Sequence, residues 1–314
     1  MTPFRAKKAA YYITRAVGIH IPPGVFRSLR GKHGRLARAD ERRVEERVDY
    51  YNKLAGSVSL DSNATDLRGL LRERKTTYFY DLYEIARYFD PRVKFSYVFG
   101  DVREVPPYPA FVKSRPIAGD NANSVLMKLN KIRHFNFVKD PYPNEKKKNA
   151  LVWRGRFSQK PSPRRMFVEK YTGKPGFDVG RIDTGNAMPG LDRPYMPVRG
   201  QLKYKFILSL EGIDVASNLK WIMSSNSIAF SQPLKFETWF MEGTLIPGVH
   251  YAELKDDFSD VEEKMEYYNS HPREAKEVVE NAHRYVDQFL NPAVERKIAL
   301  LVFEKYLEKT GQAG

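Results

Sequence analysis

Apolar residues along this chain change their spacing several times, and the changes divide it into elements. Phe79, Tyr80, Leu82, Ile85, Ala86 and Tyr88 recur at helical spacing, and Asp90-Pro91 stops them. Val93 to Phe99 then alternates as a strand does and ends at Gly100-Asp101. Pro106 to Pro116 reads as a proline-rich loop. Val125, Leu126, Leu129 and Ile132 line one side of a helix drawn over 123–133. The second half repeats a short-strand, short-helix rhythm. Strands are predicted at Ala150–Trp153, Phe177–Ile182, Phe206–Leu210 and Ser227–Phe230, with a helix from about Ala216 to Met223. Acidic-then-apolar helices follow at about 259–269 and 272–290, and a last one at 292–309. At the other end, the apolar residues of 9–19 form a basic amphipathic stretch closed by Pro22-Pro23. Arg38 to Tyr51 carries mixed charges at helical spacing and reads as a solvated helix face.

Strands alternating with helices predict an α/β protein with parallel sheets. The polar, prolyl stretch from Asp140 to Asn149 is the best boundary. It gives an N-terminal domain over 1–148, a second domain over 149–290 and a closing helix over 291–314. A length of 314 residues suits two such domains.

Composition narrows the functional classes. There is no run of eighteen apolar residues, so a spanning helix is not expected. The first residues lack the continuous apolar core of a secretory signal, and cysteine is absent. Both features fit a cytoplasmic protein. The absence of cysteine removes disulfides, thiolate metal sites and cysteine nucleophiles. The net charge of +15 attracts polyanions, whether nucleic acid, anionic lipid or phosphorylated ligands. The basic, tyrosine-bearing N-terminal segment could lie on an anionic membrane, or simply pack on its own domain.

Most familiar catalytic motifs are missing. There is no G-x-S-x-G elbow, P-loop or G-x-G-x-x-G. The histidines (His20, His33, His134, His250, His271 and His283) show no metal-ligand spacing, so no metal is expected. No helix-turn-helix, zinc-finger or RNP pattern supports nucleic-acid binding.

Strand ends hold the candidate chemistry. Ligands of open α/β sheets bind at the carboxyl ends of strands, where helix N-termini direct N–H groups at phosphate. Arg154-Gly155-Arg156 follows one apolar run, and the glycine would let phosphate approach the backbone. Glu211-Gly212 ends another, ahead of Ala216, Ser217, Asn218 and Lys220. Asp101 and Glu104 follow a third, and the proline-rich loop adds the paired cations Lys113 and Arg115, candidates for the acceptor side. A nucleotide-sugar transferase needs these parts. Cations and helix N-termini compensate a departing diphosphate, and a carboxylate takes the proton of the acceptor hydroxyl. His250 could hold a base or sugar, or be a core histidine with a backbone partner.

Trp153-Arg154-Gly155-Arg156, the segment KYKFILSLEGIDVASNLKW and Leu245-Ile246-Pro247-Gly248-Val249-His250-Tyr251 resemble, in order and spacing, glycosyltransferase family 90. That family includes bacterial lipopolysaccharide core transferases, fungal capsule-associated proteins and animal protein O-glucosyltransferases. The resemblance implies a GT-B fold, with two Rossmann-like domains facing a cleft. It also implies a UDP-sugar donor, inversion at the anomeric carbon and no essential metal. Asp101-Val102-Arg103-Glu104 matches the family's Val-Arg-Asp element, which puts Glu104 at the base position, with Asp101 a rival closer to the strand end. Arg154 maps onto the arginine that meets the diphosphate. The animal members carry an arginine where this chain has Asn218, so Lys220 or the N–H groups of 217–219 would replace it. Glu237 would bind the donor ribose. The implied acceptor is a lipopolysaccharide-core or lipid-linked glycan, and the place of action is peripheral, on the inner face of the plasma membrane. A protein acceptor and a non-catalytic basic binder are the competing readings.

Overall fold

The computed structural model describes residues 3–30, 38–183 and 185–312, without the side chains of residues 3–7 and 38–40. His33 lies outside the described residues. The chain forms two compact units. The first comprises Met1–His134, Phe236–Met241 and Phe289–Gly314, and the second Phe135–Lys235 and Glu242–Gln288.

The first unit holds helices α1 (Pro3–Ile19), α2 (Pro23–Leu29), α3 (Arg38–Tyr51), α4 (Leu67–Leu70), α5 (Thr77–Ala86) and α6 (Lys131–His134), closed by α12 (Pro292–Lys309). Its strands are β1 (Tyr97–Val98), β2 (Ala110–Val112), β3 (Ser114–Pro116), β4 (Ser124–Leu126) and β9 (Phe236–Thr238). β1, β2 and β4 make a parallel sheet in that order, and β3 pairs antiparallel with β9. The closing helix supplies the core. Phe303 stacks on Phe111 at 4.8 Å and on Phe89 at 4.5 Å, and Phe95 meets it edge-on at 5.3 Å. That packing draws α12 into the first unit, rather than leaving it as a separate terminal helix. Trp239 likewise ties 236–241 to this unit by stacking on Tyr51 at 3.8 Å.

Three sequence expectations change here. The apolar set of 123–133 is not one helix. Ser124–Leu126 pairs parallel with Ala110–Val112, and Asn130 at φ 55° turns the chain into the short α6. A four-residue apolar spacing suits a strand followed by a turn as well as it suits a helix. The proline-rich loop contains β2 and β3, because its prolines flank the paired residues or end them. Nor is α3 solvated all round. Val44, Arg47, Val48 and Tyr51 form a buried stripe along it.

In the second unit, β5 (Lys148–Gly155), α7 (Pro163–Tyr171), β6 (Phe177–Arg181), α8 (Val198–Gln201), β7 (Tyr204–Ser209), α9 (Leu219–Met223), β8 (Ile228–Ser231) and β10 (Ala252–Glu253) alternate, then α10 (Val261–Ser270) and α11 (Pro272–Asp287) follow. Its five strands run parallel in the order β10-β8-β7-β5-β6. Consecutive Leu151, Val152 and Trp153 are all buried, as expected of a parallel strand covered on both faces. Phe167 and Tyr171 of α7, Met265 and Tyr268 of α10, and Val278 of α11 complete one core cluster with it. The βα reading of 203–254 therefore holds, with α9 shorter than expected. The unit begins at Phe135, earlier than the boundary at 148, because Asp140 is bound into it. Its carboxylate takes Lys147 Nζ at 2.6 Å and the Asn226 N–H at 2.9 Å.

Candidate functional site

The parallel sheet of the second unit aligns the carboxyl ends of β5, β6 and β7. Beyond them opens a cavity of about 520 Å³, lined by residues 156–164, Arg181, Asn186, Met188 and 211–213. The N-terminus of α7 borders it. Ser162 caps that helix by accepting from Arg165 N–H, and Pro163 presets its first turn. Such a corner combines strand ends, a helix N-terminus and cations, the general build of an anion site.

The cations differ in how far they are committed. Arg156 is exposed and, among the described residues, its guanidinium meets no partner. Arg164 donates to the Leu210 carbonyl at 2.8 and 3.2 Å and to the Arg156 carbonyl at 3.2 Å, so it braces the two strand ends. Arg181 is clamped by Asp192 at 2.6 and 3.0 Å and by Asp183 at 3.2 Å. Those contacts hold its guanidinium above, and the Asp192 carboxyl below, their ordinary ranges. Ser162-Pro163-Arg164 after an Arg-Gly-Arg strand end was the signal for this helix start, and it makes Arg164 legible in retrospect.

Of the other residues that the sequence assigned to the donor, only Gly212 lines this cavity. The Arg154 guanidinium turns to Asp178 at 2.5 Å and to the Pro194 carbonyl at 3.2 Å. Asp178, which also accepts from the Tyr204 hydroxyl, is kept below its ordinary range by these donors in spite of burial. Gly155 has no side chain for a local reason: an added Cβ would sit 2.3 Å from the Trp153 ring. Gly212 does border the cavity, and its Cβ would lie 2.7 Å from Arg164 Nη2. Ala216 is buried and Ser217 half-buried, both ahead of α9. Asn218 donates to the Leu208 carbonyl at 2.9 Å and accepts from Ser209 Oγ at 3.2 Å, so its amide fastens the loop to β7. Lys220 is buried against Glu242 at 2.6 Å. With five residues, α9 also has little dipole to offer at 217–219. His250 accepts the Ile246 N–H at Nδ1, 2.9 Å away, which leaves the proton on Nε2, and burial lowers its pKa. The expected backbone partner is present, although the ring is half-buried rather than in the core.

The first unit holds the remaining candidates. Asp101 and Lys113 lie just past the ends of the neighbouring strands β1 and β2 and pair at 2.5 Å. Lys113 is buried and Asp101 half-buried. Glu104, three residues on, is exposed and has no partner among the described residues. Arg115 and Glu237 face each other across β3 and β9 at 2.7 Å, both buried. The second Glu237 oxygen accepts from the Tyr50 hydroxyl. Both oxygens of the residue assigned to the ribose are thus engaged inside this unit. Among the described residues, no group of three or more His, Asp or Glu side chains could hold a metal.

Parallel sheets alternating with helices, with a cation-lined pocket at the strand ends of the second unit, define the class as an α/β protein. The chain belongs to glycosyltransferase family 90, and its residues 128–306 match the family model described as Glycosyl transferase family 90. It is 41% identical over 303 residues to an O-glucosyltransferase LpsA of Dichelobacter nodosus, covering 95% of each chain. It is also 31% identical over 77 residues to a Protein O-glucosyltransferase 2 of Danio rerio, spanning 24% of this chain and 15% of that protein. The chain is thus similar to O-glucosyltransferases, and the expected family is confirmed.

Proposed function

We propose that this glycosyltransferase is of the GT-B type and moves a sugar, with glucose the first donor to try, from UDP to a hydroxyl of a lipopolysaccharide-core or other lipid-linked glycan. The transfer is inverting and needs no metal. The acceptor oxygen attacks the anomeric carbon, its proton passes to a carboxylate, and UDP departs with the bonding electrons. The observation that carries this reading is the 41% identity to an O-glucosyltransferase over 95% of both chains. The strand-end pocket supports it with an uncommitted guanidinium, Arg156, and the bracing Arg164, where a diphosphate leaving group needs compensation. Arg156 stays a donor-side cation and Arg164 joins it in place of Arg154 and Lys220, since Asp178 and Glu242 engage the latter pair. Glu104 is the preferred base, because Lys113 already engages Asp101. Work on a lipid-linked acceptor places the enzyme peripherally at the cytoplasmic face of the membrane. Among the described residues no helix is long and apolar enough to cross it.

Calorimetric titration with a panel of UDP-sugars, followed by UDP-release assays on core oligosaccharide and on a folded protein acceptor, tests the reading. Binding of one UDP-sugar and turnover on the glycan are expected. Turnover on the protein alone would move the acceptor class. Neither UDP binding nor turnover with any acceptor would overturn the proposal.

A further inference from the structure

The two N-terminal helices are amphipathic in the unusual sense, with their polar anchors facing inward and their aliphatic side chains outward. On α1, the Tyr11 hydroxyl donates to the buried Asp81 carboxylate at 2.6 Å, and Arg15 pairs with Glu84 at 2.8 Å. Arg87 donates to the Gly18 carbonyl at 3.3 Å, and the Tyr83 hydroxyl to that of Ile19 at 3.4 Å. The opposite side leaves Ile13 64% and Val17 63% exposed. On α2 the anchors are Phe26, under the Arg87 guanidinium at 3.6 Å, and Arg30, paired with Glu304. None of the α2 residues is buried, and Val25 and Leu29 are exposed, as is Ile21 between the helices. Ile13, Val17, Ile21, Val25 and Leu29 thus recur every fourth residue as exposed aliphatics.

Helices of a soluble protein turn such residues inward. Here the inward places are taken by ion pairs and rings. Charge identifies the partner. Residues 1–39 carry nine lysines and arginines and no aspartate or glutamate. Lys8, His20 and Arg27 are exposed on the two helices and the turn that joins them. A second copy of this chain would bring the same positive charges against each other. An anionic bilayer takes aliphatic side chains below its headgroups and neutralises the cations.

We infer that α1 and α2 form a preassembled platform that docks on an anionic bilayer through Ile13, Val17, Ile21, Val25 and Leu29. The inference gives the peripheral placement above a defined surface, and it rests on that membrane-side reading of the acceptor. Insertion of an apolar face together with neutralisation of flanking cations predicts binding that salt weakens but does not abolish.

Flotation of the full chain with phosphatidylglycerol/phosphatidylethanolamine vesicles, and with phosphatidylcholine vesicles alone, tests it. The wild type should float with the anionic vesicles only. The double variant Ile13→Glu/Val17→Glu should lose at least about tenfold in partitioning, as burial of two aliphatic side chains implies. Its melting temperature and its UDP-release rate on a detergent-dispersed acceptor should stay unchanged. If that variant folds poorly, Ile13→Gln/Val17→Gln carries the same comparison. Wild-type protein that ignores anionic vesicles, or a folded variant that still floats, overturns the platform, as does a wild-type dimer that the variant makes monomeric. Flotation without turnover on any acceptor would instead count against the transferase reading and leave the platform standing.

Discussion

Lys220 Nζ lies 2.6 Å from Glu242 Oε1, and both side chains are buried in the second unit. The charge that the sequence offered to a diphosphate is therefore matched by a carboxylate of the same unit. Removing one member of a buried ion pair takes away the opposite charge that offsets the other's burial. Lys220→Met is expected to cost roughly 3–5 kcal/mol of stability, and adding Glu242→Gln should restore much of it. Urea denaturation of the two single variants and the double variant measures this. Unchanged stability with loss of UDP binding alone would return Lys220 to the donor site.

The two glycines at strand ends make opposite predictions. A methyl group on Gly155 would meet the Trp153 ring, which is part of the core and cannot move without opening it. Gly155→Ala should therefore lower stability by about 1–3 kcal/mol. A methyl group on Gly212 meets only the far end of Arg164. Gly212→Ala should leave the melting temperature nearly unchanged, yet push the Arg164 guanidinium off the Leu210 carbonyl. UDP affinity should then fall by about tenfold, the equivalent of roughly one charge-assisted hydrogen bond. Thermal melts and calorimetry on both variants separate the two effects.

These pairs also show what could be read in advance. Strands β5 to β8 of the second unit were legible because buried parallel strands are short apolar runs between turn residues, as at Phe206–Leu210. The helices at 272–287 and 292–309 were legible from proline starts, and that at 261–270 from an acidic first turn followed by apolar spacing. Pairings distant in sequence were not. Nothing near Arg115 announces Glu237, which meets it only because β3 lies antiparallel to β9. Likewise, nothing near Arg154 shows that Asp178 of the neighbouring strand will take its guanidinium. Local sequence told which residues carry charge. Whether that charge faces a ligand or a partner was decided by strand register.

Acid should weaken the attachment of α1. Burial alone would raise the Glu84 carboxyl, but Lys131 and Arg15 outweigh it and hold it at about 2, below the ordinary 4.5. A depressed folded-state pKa stabilises the protein above the unfolded value and ceases to do so as the pH falls from there through about 2. The difference corresponds to on the order of 3 kcal/mol at neutral pH. Asp81, raised by burial, pulls the other way, so the informative quantity is the difference between wild type and Glu84→Gln. That difference should be full at pH 7 and shrink steadily in acid. Chemical denaturation of both proteins across acidic pH checks it, and a pH-independent difference would remove Glu84 from the anchor.

Glu104 and Asp101 can be told apart by what each substitution spares. Glu104 is exposed and unpartnered among the described residues, so Glu104→Gln should leave the fold and UDP affinity intact. As the acceptor's base, it should cost about 10²–10⁴ in kcat. Asp101 fixes the buried Lys113 ammonium at 2.5 Å, so Asp101→Asn weakens a partly buried pair. It should lower the melting temperature and reduce turnover less. Steady-state kinetics, UDP titration and thermal melts on both variants give the answer together. If Asp101→Asn abolishes turnover at unchanged stability while Glu104→Gln remains active, the base is Asp101, and Lys113 is the residue that orients it.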